Sequence, residues 1–159
     1  MTGFSGYTET TTENLLLDAG AFLMNYDLET DTFESAVKAG KLLGATRGGG
    51  EFSAVPAIRN IEIDGVKGRA KGAEVIDSWE VYIKANVLET TEKTIKNALC
   101  ACDVTEEHEG YITIRPRSLI EAEDYIDNIT WVGTLAKTGK PVIVQVFNAI
   151  NTDGLKVTT

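Results

Sequence analysis

A chain of 159 residues with 43% hydrophobic and 25% charged residues is sized for one domain with one core, and is too apolar to remain disordered. Its 24 acids against 15 bases give a formal net charge of −9, which argues against the clustered Lys and Arg of a nucleic-acid binder and against docking on anionic membranes. No stretch approaches the roughly 20 apolar residues of a membrane helix, and the opening MTGFSGYTETTTENLLLDAG has neither the basic start nor the long apolar run of a secretory leader.

The charge is segregated. Met1 to Val37 holds Glu9, Glu13, Asp18, Asp27, Glu29, Asp31 and Glu34 and no base. Lys38 to Lys71 holds Lys38, Lys41, Arg47, Arg59, Lys67, Arg69 and Lys71 against Glu51, Glu62 and Asp64. An acidic head and a basic middle can attract neighbouring copies of one chain; a solvated surface with uneven charge is the plainer reading.

Residues 1–14, rich in Thr, Gly and Glu, read as a flexible N-terminal arm, and residues 15–159 as a single domain. Leu15 to Tyr26 is apolar around Asp18-Ala19-Gly20, which predicts two short strands about a turn or an interrupted helix. Asp27 to Glu34 is polar and acidic, a loop. Ala36 to Leu43 is open between strand and helix. Thr46 to Ala54, with three consecutive glycines, predicts a mobile Gly-rich loop near residues 44–56. A strand then starts at Pro56, with Ile61 and Ile63 alternating against polar neighbours. Asp64-Gly65 is a two-residue hairpin signal, and Gly68 and Gly72 make the returning arm irregular.

Glu74 to Leu88 is the clearest strand, with Val75, Asp77, Trp79, Val81, Ile83, Ala85 and Val87 on an apolar face. Fully extended it spans roughly 50 Å, long against the usual length of about 5–6 residues. Thr91 to Cys102 predicts the one good helix: Thr90 or Thr91 caps it, and Ile95, Ala98, Leu99 and Cys102 form a stripe to pack on a sheet. Asp103 to Gly110 reads as an acidic loop. Tyr111 to Arg115 is a strand stopped by Pro116. Tyr125 to Leu135 and Pro141 to Ile150 are strands joined by a connection with Gly139 in a left-handed position. An Asp153-Gly154 turn begins a further extended segment. The sum is a mainly β (α+β) fold, a sandwich or barrel with one flanking helix.

Chemistry-bearing patterns are weak. Gly48-Gly49-Gly50 is followed by Glu51 and Phe52 and then a strand, whereas phosphate loops need Gly-Lys-Ser/Thr or a following helix. His108, the only histidine, sits among Glu106, Glu107 and Glu109, a set better read as a solvated face than as a metal site. Cys100 and Cys102 are two apart, poorly spaced for a disulfide in regular structure, and read as small buried residues of a reducing compartment. No serine sits in a nucleophile elbow. The expectation is no enzyme, no cofactor and no metal. Trp79 and Trp131 sit in strands and read as core residues.

The sequence resembles the tail tube proteins (major tail proteins) of phages with long, non-contractile, siphovirus-type tails. The likeness runs through much of the chain. It is carried by Glu13-Asn14-Leu15-Leu16-Leu17-Asp18-Ala19-Gly20-Ala21, Leu43-Gly44-Ala45-Thr46-Arg47-Gly48-Gly49 and Ile58-Arg59-Asn60-Ile61-Glu62-Ile63-Asp64-Gly65. Gly68, Lys71-Gly72, Lys84-Ala85-Asn86-Val87-Leu88-Glu89, Asp124-Tyr125-Ile126-Asp127-Asn128-Ile129 and Pro141-Val142-Ile143-Val144 continue it. Family members usually carry a further C-terminal strand and acidic tail, so the resemblance reads this chain as a shortened form.

The resemblance implies a virion protein that self-assembles as stacked hexameric rings into a hollow tube, the conduit for DNA ejection. Its implied partners are copies of itself, a tape measure protein, and tail initiation and terminator proteins. DNA would pass through the lumen without specific binding. The location implied is the virion tail, after synthesis in the cytoplasm of a bacterial host. Candidate assembly-interface residues are Arg47, Gly48, Gly49, Gly50, Arg59, Asp64, Gly65, Lys67, Gly68, Arg69 and Lys71. A tail-derived bacteriocin tube is a close variant. A monomeric β-barrel module that binds a sugar or other small ligand through Trp79 or Trp131 is the alternative from another class.

Overall fold

The computed structural model describes residues 6, 8, 10–14, 19–108 and 110–156. In order it contains α1 (Thr11–Asn14), β1 (Ala21–Met24), α2 (Phe33–Lys38), β2 (Thr46–Asn60), β3 (Glu74–Val87), α3 (Glu92–Ala98), β4 (Cys102–His108), β5 (Tyr111–Pro116), β6 (Ile126–Thr134) and β7 (Pro141–Ala149). The chain is mainly β. Its strands form three sheets, ordered β1-β6-β7, β2-β3 and β4-β5. It divides into two compact units, residues 1–49 with 85–159, and residues 50–84, a division that chain length alone does not predict.

The core of the larger unit is built on β1. Its AFLM sequence is apolar at every position and both of its faces are buried, with Phe22, Leu23 and Met24 all in the core; both of its edges are also paired. On one side Ala21 to Met24 pair antiparallel with Val132 to Ile129 of β6. On the other, Met24 N–H donates to Lys41 C=O at 2.7 Å and Leu43 N–H to Phe22 C=O at 2.8 Å. Leu23 and Ala36 are fully buried with Tyr26, and Leu42 and Val132 pack against them. Burying one such leucine contributes about 1.5–3 kcal/mol.

Where β1 ends, Asn25 takes a left-handed conformation (φ 53) and the chain leaves the sheet. The Asn128 side chain of β6 catches it there. Its Oδ1 accepts Tyr26 N–H at 3.0 Å, and its Nδ2 donates to Tyr26 C=O at 3.2 Å. Thr130 Oγ1 donates to Asn128 Oδ1 at 2.9 Å, and Gln145 Nε2 of β7 reaches both Tyr26 C=O and Thr130 Oγ1 at 2.9 Å. One amide thus replaces a lost strand partner, in a buried site where an unpaired polar group is costly. Trp131, opposite Phe22 in the sheet, lies over two glycines: a Cβ at Gly20 would come within 2.5 Å of the indole, and one at Gly133 within 2.3 Å.

Several expectations hold. β3, β5, β6 and β7 occur where the sequence predicts strands, and Gly139 is left-handed (φ 64). Thr91 caps α3, sharing a capping box with Thr94. Others need correction. Asp27 to Glu34 is not all loop: Thr32 and Ser35 form a capping box that starts α2 at Phe33, so the open segment 36–43 begins as helix and ends in a bridge at Leu42. α3 stops at Ala98, because Cys100 turns left-handed (φ 69) and Cys102 opens β4. Cys102 is therefore not on the helix stripe; it is buried, and that burial pushes its thiol pKa up. Residues 103–108 are strand rather than loop, since β5 offers a full ladder from Cys102↔Pro116 to His108↔Tyr111, with an irregularity between Glu106 and His108. Most of the arm's first ten residues and the first of the two strands expected before Tyr26 lie outside the described residues, and Thr11–Asn14 is one helical turn.

The turn before α2 is fixed by its acids. The Asp31 carboxylate accepts Asp27 N–H at 2.9 Å and Lys41 Nζ at 2.6 Å, and these partners hold its pKa below the ordinary 3.8. Asp27 Oδ1 accepts Glu29 N–H at 2.8 Å, which likewise lowers its pKa.

Asn128→Ala should cost about 2–3 kcal/mol in urea unfolding, the cost of leaving buried partners unmet; an unchanged midpoint would show that the amide pairing carries no stability. A carboxyl depressed in the folded state stabilises above its unfolded pKa, and that contribution disappears as pH falls through the folded value. Asp31→Asn should therefore be less stable than the parent near neutral pH, with the gap closing below about pH 4. Thermal melts across that range check this, and a gap that widens on acidification contradicts it.

Candidate assembly surface

Residues 50–84 form one hairpin from β2 and β3. The backbone bonds at its two ends are Leu88 N–H to Ala45 C=O at 2.8 Å and Ile61 N–H to Ala73 C=O at 2.7 Å, so the strands run antiparallel. β-branched and aromatic residues (Val55, Ile58, Val75, Ile76, Trp79, Val81, Tyr82, Ile83) account for its strand form.

The glycine run is part of β2, not a loop. Gly48 and Gly49 are left-handed (φ 81 and 75), a conformation that glycine adopts at little steric cost. They sit as a local irregularity inside a strand whose partner supplies the ladder. The Asp64-Gly65 expectation is half correct. Val66 N–H donates to Ile63 C=O at 3.1 Å, closing a turn, and Gly65 is left-handed (φ 82) while Asp64 is absent from the left-handed non-glycine positions. One positive φ at the third position is a type II pattern, which splays flanking strands instead of matching their twist. Ile61 and Ile63 accordingly lie outside β2, and the hairpin closes through residues 61–73 rather than through two residues.

The hairpin covers neither of its faces. Between residues 50 and 84 only Ala73 is buried. Trp79 is 55% exposed and Tyr82 51% exposed; they point to opposite faces of β3, because side chains alternate along a strand. Phe52, Val55, Ile58, Ile76 and Val81 are also exposed. The apolar face predicted for β3 thus exists as a pattern, but only Ile83, Ala85 and Val87 at its end are half-buried. Among the described residues each strand also keeps one open edge, since the sheet has two strands.

The candidate interface residues fall in two groups at the ends of β2. Arg47, Gly48, Gly49 and Gly50 are its first exposed residues. Arg59 is near its other end, and Asp64, Gly65, Lys67, Gly68, Arg69 and Lys71 are in the connection. Arg59 is already engaged: its Nε and Nη2 reach Asp77 at 3.0 and 3.1 Å. The pair is exposed, in the class that contributes about 0–1 kcal/mol. Arg69 lies 3.7 Å from Glu74. Lys67 and Lys71 have no ion-pair partner among the described residues. The exposed aromatic and aliphatic set is what sequence reasoning missed. Its signal was the length of the strand together with the absence of a third adjacent strand to cover it.

Among the described residues no group of three or more His, Cys, Asp or Glu could hold a metal ion, and no helix is long and apolar enough to cross a membrane. The carboxylates of Glu121 and Asp124 both contact Arg117 at 2.6 Å, with Asp103 at 3.1 Å. They act as a clamp, and Glu121 foremost raises the Arg117 pKa. Comparison with family models, with curated proteins and with solved structures found no match.

In the dispersed protomer, a Trp131→Phe variant should leave Trp79 fluorescence open to acrylamide, quenched several-fold more than the Trp131 signal of a Trp79→Phe variant. Equal quenching would mean that the hairpin face is covered.

Proposed function

We propose that this chain is a structural protomer that assembles with its own copies into stacked hexameric rings, forming a phage tail tube through which DNA is ejected. The observation that carries the reading is the hairpin of residues 50–84, with apolar side chains on both faces and two open edges. An isolated two-stranded hairpin is marginal in water, exposed apolar patches mark interaction surfaces, and open edges are templates for further strands. Neighbouring copies would supply both the missing strands and the missing cover.

The charge supports the same reading. A conduit must let the duplex slide, and each lysine–phosphate contact would hold it by releasing counterions. A protomer of net charge −9 suits a lumen that repels DNA. On this proposal the partners are copies of the chain, a tape measure protein and tail initiation and terminator proteins, in a virion tail made in a bacterial cytoplasm. The tail-derived bacteriocin tube shares the requirement for self-assembly through the uncovered hairpin. Of the two tryptophans of the small-ligand alternative, Trp131 is half-buried with Gly20 and Gly133 against its ring, and Trp79 is exposed.

Negative-stain microscopy of the concentrated protein should show tubes or six-fold rings, and Trp79 should lose its acrylamide quenching as they form. A protein that stays monomeric at every concentration and salt, with Trp79 still open, overturns the proposal.

A further inference from the structure

The connection of the hairpin carries a local excess of positive charge on an acidic chain. Val66 to Gly72 reads VKGRAKG, with three bases and no acid. Lys67, Arg69 and Lys71 are all exposed, and Ile63 and Val66 beside them are 49% and 47% exposed. The hairpin, residues 50–84, has six acids against five bases, so −8 of the chain's −9 lies elsewhere. The complement of this basic, apolar tip is an acidic, apolar surface on another copy.

Three stretches of the larger unit are acidic. Residues 103–109 hold four acids, of which Asp103 pairs with Arg117. In residues 121–127, Glu121 and Asp124 also pair with Arg117, so much of their charge is already met. The third is Asp27 to Val37, with four acids and no base ahead of Lys38 at the end of α2. There Asp31 pairs with Lys41, but Glu29 and Glu34 are exposed with no ion-pair partner among the described residues. Phe33 and Val37, 42% and 39% exposed, are four apart on α2 and share one face. Leu28 in the preceding turn is 56% exposed. The surface is also rigidly built, by the Thr32–Ser35 capping box and by backbone bonds to Asp27 and Asp31.

We propose that the tip of one copy, through Lys67, Arg69 and Lys71, seats on the Asp27–Val37 turn and helix of a neighbouring copy, facing Glu29 and Glu34, with the exposed aliphatic and aromatic side chains of both surfaces closing the contact. The inference rests on the self-assembly proposed above and names one of its contacts. Opposite charges at this site set orientation and encounter rate, and like charges there oppose association.

Charge reversal on each side tests it. Lys67→Glu with Arg69→Glu and Lys71→Glu reverses the tip; Glu29→Lys with Glu34→Lys reverses the acceptor. All five positions are exposed, and circular dichroism and melting confirm that each variant is folded. Each set alone should raise the critical concentration for assembly by about tenfold or more at low salt, through like-charge contact. The chain carrying both sets should assemble again, because its reversed tip meets a reversed acceptor. The differences should fade near 1 M salt, where the screening length is about 3 Å. If either single-side variant assembles like the parent, or the doubly reversed chain fails to recover, the contact is wrong while the tube reading stands. If the parent chain itself forms no assembly, the tube reading fails and this contact falls with it.

Discussion

The larger unit depends on one side chain behaving as backbone. β1 has four residues, and after Asn25 the chain turns away from the sheet through a left-handed residue. Without a substitute partner, Tyr26 would bury an unpaired N–H and C=O. Asn128 provides both a donor and an acceptor in one planar amide, with the donor and acceptor groups of a backbone peptide. Thr130 and Gln145 then complete the remaining bonds. Because this network joins β1, β6 and β7, it fixes where the chain enters α2, and so where the acidic turn stands.

The hairpin shows the opposite balance. The larger unit meets the buried polar groups around Tyr26 and Asn128 from within, whereas the hairpin leaves both of its apolar faces exposed. An extended two-stranded sheet cannot fold over to cover itself, and a third strand or a packed helix is the usual remedy. Phe52, Val55, Trp79 and Tyr82 are left exposed on such an element. The surface pairs Arg59–Asp77 and Arg69–Glu74 are exposed and too weak to compensate. On the proposed reading, the exposed apolar faces rather than any single contact would drive assembly.

What was legible in the sequence follows the range of each signal. Alternation from Glu74 to Val87 is local, so the strand is legible; burial is not local, so Trp79, which reads as a core residue, is instead 55% exposed. The Asp64-Gly65 pair announces a turn, yet the turn type hangs on whether Asp64 also takes positive φ. Residues 103–108 looked like loop because their acids oppose strand propensity, and the long antiparallel ladder with β5 overrode that. The short helix at Phe33 was visible in Thr32-x-x-Ser35 only as a variant of the capping box, whose usual third residue is Glu or Gln. The Gly48–Gly50 run reads as costly to order, but the cost is met when β3 lies alongside.

The charge pattern gains meaning from these placements. A protomer of net charge −9 repels its own copies, but at physiological salt that repulsion is screened beyond about 8 Å. Contact-range pairs are screened far less. A short basic strip on the hairpin connection can therefore orient two copies that the net charge would otherwise hold apart. On the proposed contact, an encounter that presents Lys67, Arg69 and Lys71 to an acidic patch would outlast one between two acidic surfaces, giving apolar side chains time to meet. On the proposed reading, overall repulsion and local attraction are complementary: the first keeps protomers dispersed, and the second selects the one orientation in which the uncovered hairpin can be buried.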